Sequence, residues 1–115
     1  MDLVAAVVEV MRTKTMHGKN PRPGWVTAYQ VLNRLDEEVR AELVREHGGY
    51  GGRENDAERG SGAANAVMRV LRDHHQVEKD YFDAWHDSQF CVGEDTWIQP
   101  GNVTCAIYRW TGPTP

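Results

Sequence analysis

Five polar side chains fall on one side of a segment that reads as a helix. At about 100° per residue, Ser61, Asn65, Arg69, Arg72 and Gln76 lie within roughly 40° of a common direction. The apolar Ala63, Ala64, Val67, Val70 and Leu71 lie opposite. An arginine fork matches the acceptors of guanine, asparagine and glutamine match adenine, and serine suits either, so this stripe holds the side chains that read base edges in a DNA major groove. The same stripe fits any solvated helix, because a surface helix has a polar face and arginine is a good helix former.

The stretch leading into this segment, "GGYGGRENDAERGSG" from Gly48 to Gly62, has six glycines, three acids, two arginines and no apolar run. A loop this long with nothing to bury is usually functional or disordered. It ends where the helix begins, which would bring Arg53 and Arg59 towards a phosphate at the positive helix end. Its glycines resemble a phosphate cradle in composition alone: there is no terminal Gly-Lys-Ser/Thr, and the segment follows a helix rather than a strand. A flexible insertion that orders on binding a partner is the better reading.

A second constellation is aromatic. If Pro100 and Gly101 form a two-residue turn, Thr96 opposes Cys105, Ile98 opposes Val103 and Glu94 opposes Ile107. Ile98, Val103, Cys105 and Ile107 then face the core, while Trp97, Thr104, Ala106, Tyr108 and Trp110 face away. Left open, Trp97, Tyr108 and Trp110 make the rigid apolar patch typical of protein interfaces, and Asp87, Glu94 and Asp95 beside it suit a basic or mixed partner. Covered by the first helix or by the strand "YFDAW", the same residues are core.

Catalytic and metal chemistry find little support. "HH" at 74–75 with a distant cysteine lacks metal-ligand spacing, so no metal and no cofactor are expected. His74 falls on the apolar side of its helix, where a core histidine is commoner than a ligand. Asp83, His86 and Ser88 in "DAWHDS" are close in sequence, with nothing to place them in a triad. Cys91 and Cys105 are too few for a disulfide framework, and the register puts them on opposite faces. The reading is a non-enzymatic protein.

With 115 residues and 40% apolar content the chain has room for one domain. "MDLVAAVVEVM" lacks a basic leader and is too short to span a bilayer, so no membrane partner and a cytoplasmic location are expected. The net charge is −4, which argues against nucleic acid, but it is unevenly spread: +3 over 1–35, −4 over 36–60, +1 over 61–79 and −4 over 80–115. A basic surface must come from the first and third blocks. Arg12, Lys14, Lys19 and Arg22 are phosphate contacts or solvated loop charges.

The elements that position these residues follow from periodicity. Leu3, Val4, Val7, Val8 and Met11 recur at helical spacing. Thr27 and Gln30 form a capping box before Ala28, Val31, Leu32 and Leu35. Asp36 starts a third helix, with Val39 and Leu43 inward, that ends at Gly48. Ser61 caps the fourth, over 62–76. "VEKDYFDAW", "QFCVGEDTWI" and "VTCAIYRW" read as strands, "QPGN" as a turn, and 111–115 as a frayed tail.

The predicted class is α+β, a helical core followed by a C-terminal β-hairpin or three-stranded antiparallel sheet. In element order, from "WVTAYQVLNRL" to "AIYRW", the chain resembles the winged helix-turn-helix superfamily, in which a helical core presents a recognition helix followed by a hairpin wing. The resemblance implies one winged-helix-like domain over 1–110 and DNA contacts from Asn65, Arg69 and Arg72. Two functional expectations stand: a DNA-binding transcriptional regulator or DNA-associated accessory factor, monomeric or a homodimer, and a small acidic protein-binding inhibitor or adaptor acting through the aromatic hairpin or the loop.

Overall fold

The computed structural model describes residues 2–15, 22–50, 62–83, 90–93, 96–98 and 104–115, with the backbone alone at 82–83, 90–93, 96–98 and 104. The elements are α1 (Leu3–Thr13), α2 (Ala28–Arg34), α3 (Glu37–His47), α4 (Ala63–Asp73), β1 (Val77–Asp83), β2 (Phe90–Gly93), β3 (Thr96–Ile98) and β4 (Thr104–Trp110). The class is α+β, as the periodicities imply.

Local chemistry explains most helix ends. Asp2 caps α1, accepting from the Ala5 N–H at 3.1 Å. The Thr27–Gln30 capping box is complete: the Gln30 N–H donates to the Thr27 hydroxyl at 3.2 Å and the Thr27 N–H to Gln30 Oε1 at 2.8 Å. Gly48 closes α3 at φ 75°, a left-handed conformation that glycine adopts without steric cost. Asp36 takes the N-cap position of α3 but makes no side-chain cap bond. Its carboxylate lies 3.9 Å from Lys14 Nζ instead.

The carbonyls at the end of α2 are met by cations. Arg40 donates to the Asn33 carbonyl at 2.7 Å, and Lys14 Nζ to the Arg34 carbonyl at 3.2 Å. Arg34 returns a bond to the Lys14 carbonyl at 2.9 Å, clasping the ends of α1 and α2 together. Lys14 therefore serves the fold, and Arg12 pairs with Glu9 at 3.7 Å. Lys19 lies outside the described residues.

The core joins Val7, Val10 and Met11 of α1, Val31 and Leu32 of α2, Leu43 of α3 and Ala63, Ala64, Val67 and Leu71 of α4 to Val26, Tyr108 and Trp110. Helix α4 packs against the other three helices and β1. Val70, expected inside, is only partly buried.

The strands correct the expected pairing. β4 runs antiparallel to β1, with Val77 opposite Trp110, Lys79 opposite Tyr108, Asp80 opposite Ile107 and Phe82 opposite Cys105. β3 pairs with β2 in a separate sheet, Phe90 opposite Ile98 and Cys91 opposite Trp97. The Thr96–Cys105 hairpin register is thus wrong. A three-residue β3 offers β4 few ladder bonds, whereas β1 matches all seven residues of β4 and brings Val77 and Trp110 to the core side. On its other edge β4 meets Val26, whose N–H donates to the Tyr108 carbonyl at 2.9 Å and whose carbonyl accepts from the Tyr108 N–H at 2.8 Å. The segment after β4 is fastened: Thr111 donates to the Gln76 carbonyl from both N–H and hydroxyl at 2.8 Å, and Trp110 Nε1 donates to the Pro113 carbonyl at 3.0 Å.

Candidate nucleic-acid interface

Helix α4 is shorter at both ends than the sequence suggests, and this trims the polar stripe. Its N-cap is Gly62, not Ser61, and it stops at Asp73, with His74 already extended. Gln76 therefore lies off the helix, in the turn before β1, where its carbonyl holds Thr111. The pattern of polar residues continued past Asp73, but the backbone turned because the His74 carbonyl accepts from the Val77 N–H at 3.1 Å to start β1. Ser61, Arg53 and Arg59 lie outside the described residues.

Asn65, Arg69 and Arg72 remain on one side of α4, away from the buried Ala64, Val67 and Leu71. Asn65 is half-buried; Arg69 and Arg72 are exposed. Arg69 makes no hydrogen bond or ion pair among the described residues. Arg72 Nε donates to Asp73 Oδ1 at 3.0 Å, which holds its guanidinium above the ordinary range of an already permanent cation.

The N-terminus of α4 is closed to an anion. The Ala63 N–H donates to the Gly49 carbonyl at 2.9 Å, Ala64 to Tyr50 at 2.8 Å, and Asn65 to Gly62 at 3.0 Å. These N–H groups are thus already paired with carbonyls of the chain, while Arg53 and Arg59, the side chains expected to meet a phosphate here, lie outside the described residues.

Two of the three residues of the expected aromatic face are corrected. Tyr108 and Trp110 are core residues, 0% and 3% exposed. They point from β4 towards the helices, with Ala106 packed beside them. His74 lies against Trp110, ring centroids 5.4 Å apart, and stacks on His75 at 5.0 Å. Trp97 sits on the other sheet, and its side chain is outside the described residues. Tyr108 and Trp110 were placed on the side away from the core because the β3–β4 register was assumed; with β1 as the partner of β4, that side is the core side.

The opposite face of the ladder carries an ion pair between Arg109 and Glu78, and the Arg109 guanidinium lies 4.7 Å from the Trp25 ring centroid. Cys105 is a free, buried thiol pushed up to about 11 by desolvation. It is not a nucleophile at neutral pH. Among the described residues no group of three histidine, cysteine or acidic side chains could hold a metal, and no helix is long and apolar enough to cross a membrane.

Three residues on α4 and β1 escaped the sequence reading. Asp73 lies beside Arg72, while Lys79 and Tyr81 alternate along β1 on the Tyr108 side, both exposed, with Lys79 Nζ 5.0 Å from the Tyr81 ring centroid. Their two-residue spacing was the available signal.

Comparison with known proteins adds no relative. No family model, no curated protein and no solved structure matches the chain.

The Tyr108 hydroxyl is buried and finds no hydrogen-bond partner among the described residues. Desolvation pushes its pKa up to about 12, Tyr81 and Cys105 add to the rise, and Arg72 opposes it. An unmet buried hydroxyl costs on the order of 1–3 kcal/mol. Tyr108→Phe is expected to raise stability by about 1 kcal/mol, read as a higher urea midpoint at unchanged slope; a lower midpoint would show that the hydroxyl has a stabilising partner.

Proposed function

We propose that this chain is a winged-helix-like DNA-binding domain, a transcriptional regulator or DNA-associated accessory factor, that lays α4 in the major groove. One observation carries the reading: Asn65, Arg69 and Arg72 share the outer side of a helix whose inner side is fixed by packing against α1, α2 and α3. A rigidly held helix with arginine and asparagine outward meets the geometric demand of base readout. β1 follows α4 directly and carries Lys79, an exposed cation on the Tyr108 face of the β1–β4 ladder, as a further candidate for a phosphate contact. The net charge of −4 works against this reading, so attraction to phosphates must come locally from Arg69, Arg72 and Lys79.

The test is fluorescence anisotropy of labelled random-sequence duplex at about 50 and 200 mM salt. Wild type is expected to bind with a steep salt dependence; Arg69→Ala is expected to reduce the logarithmic salt slope by about 1 and Arg72→Ala to weaken binding, both with the thermal midpoint unchanged. Equal binding by wild type and a variant carrying both Arg69→Ala and Arg72→Ala would refute the role of α4.

A further inference from the structure

The two arginines of α4 are held differently. Arg69 is exposed and makes no hydrogen bond or ion pair among the described residues, whereas Arg72 donates Nε–H to Asp73 Oδ1 at 3.0 Å. That bond uses the one donor on the stem side of the guanidinium. The amino groups Nη1 and Nη2 remain, as a planar pair of donors whose direction the carboxylate sets. Such a pair, end-on, matches O6 and N7 of guanine.

Asp73 is otherwise poorly placed. It is the last residue of α4, where the helix end is already negative and a carboxylate is unfavourable. It would also repel the phosphates of any duplex approaching the stripe. Both side chains are largely solvent-exposed, so the pair does little for the stability of the fold. What the contact does supply is orientation.

We propose that Asp73 is a positioning residue for specificity: it holds Arg72 in the plane that reads one guanine, while Arg69 supplies sequence-independent attraction to the backbone. The inference rests on the reading of α4 as the groove-binding helix. It assigns the two arginines separate work, one to affinity and one to base choice.

Selection of bound duplexes from a randomised pool tests it, with wild type, Asp73→Ala, Asp73→Asn and Arg72→Lys. Wild type is expected to enrich a motif with one position at which guanine is preferred about ten- to a hundredfold. Arg72→Lys, which keeps the charge and loses the fork, is expected to lose that preference. Asp73→Ala is expected to lose it too, while binding random duplex about two- to fivefold more tightly because a repelling charge is gone. Asp73→Asn keeps an acceptor oxygen for Nε–H without the charge, so it is expected to retain the guanine and still bind more tightly. Equal thermal midpoints show that all four proteins are folded. A wild-type motif whose guanine survives Asp73→Ala overturns this inference and leaves α4 as the reading helix. Absence of any enriched motif or salt-dependent binding in wild type overturns both.

Discussion

Trp110→Ala is expected to lower the unfolding free energy by about 3–5 kcal/mol, a large part of what a domain of this size has in hand. Trp110 is 3% exposed, and its ring closes the core between α4 and the sheet. The surroundings cannot collapse easily into the space it would leave. Its Nε1–H is tied to the Pro113 carbonyl, and Gly112 lies so close that even a Cβ there would stand 2.6 Å from Trp110 Cζ2. Urea unfolding followed by far-ultraviolet circular dichroism measures the loss. A cost under about 1 kcal/mol would mean that the indole sits at a surface after all, and would revive the aromatic face as an interface.

The second large effect is a loss of stability in alkali. Burial raises Cys105 from 9.0 to about 11 and Tyr29 from 10.0 to about 12, with Cys105 adding to the latter, and Tyr108 also reaches about 12. In each case the fold favours the neutral, protonated form. The unfolded chain therefore releases its protons first, from about pH 9 for cysteine and pH 10 for tyrosine. Stability is complete below pH 9 and falls as pH rises through 11 and 12. Discounted for partial exposure, Cys105 and Tyr29 contribute on the order of 1–2 kcal/mol each to the decline. Urea midpoints at pH 8, 9.5 and 11 should decrease in turn, and Cys105→Val should flatten the first part of the fall. A midpoint constant to pH 11 would show that these groups are solvated.

Four helices were legible in the chain because each carries its own instructions: the Asp2 and Thr27 caps, the Gly48 terminator and the apolar spacing of Val67 and Leu71 are local facts. The sheet was not legible in the same way. Strand choice is a competition, and nothing local to "VTCAIYRW" says whether it pairs with the nearer "TWI" or with "VEKDYFD", which lies more than twenty residues back. The nearer partner was assumed, so Tyr108 and Trp110 were placed on the side away from the core, and their burial stood only as the alternative in which the first helix or "YFDAW" covers them. The polar stripe of α4 survived because periodicity within one helix needs no partner. Its overextension to Gln76 came from the same cause as the sheet error, since the bond that ends the helix region is made to the first residue of β1. Asp73 went unnoticed because an adjacent acid and base look like any solvated pair until the bond between them is seen.

The two backbone bonds between Val26 and Tyr108 also bear on how the protein is made. β4 is flanked by β1 on one side and Val26 on the other, so it is the strand on which the sheet closes. During synthesis the helices emerge before it and pack on one another, but Val26 and the part of the core that Tyr108 and Trp110 complete lack that cover until β4 arrives. The core is therefore completed only after β4 has left the ribosome, and the helices before it pass through a stage in which they are prone to aggregate. Amide exchange should report the same order in reverse: the Val26 and Tyr108 N–H groups open only with global unfolding, and are the last to take up deuterium.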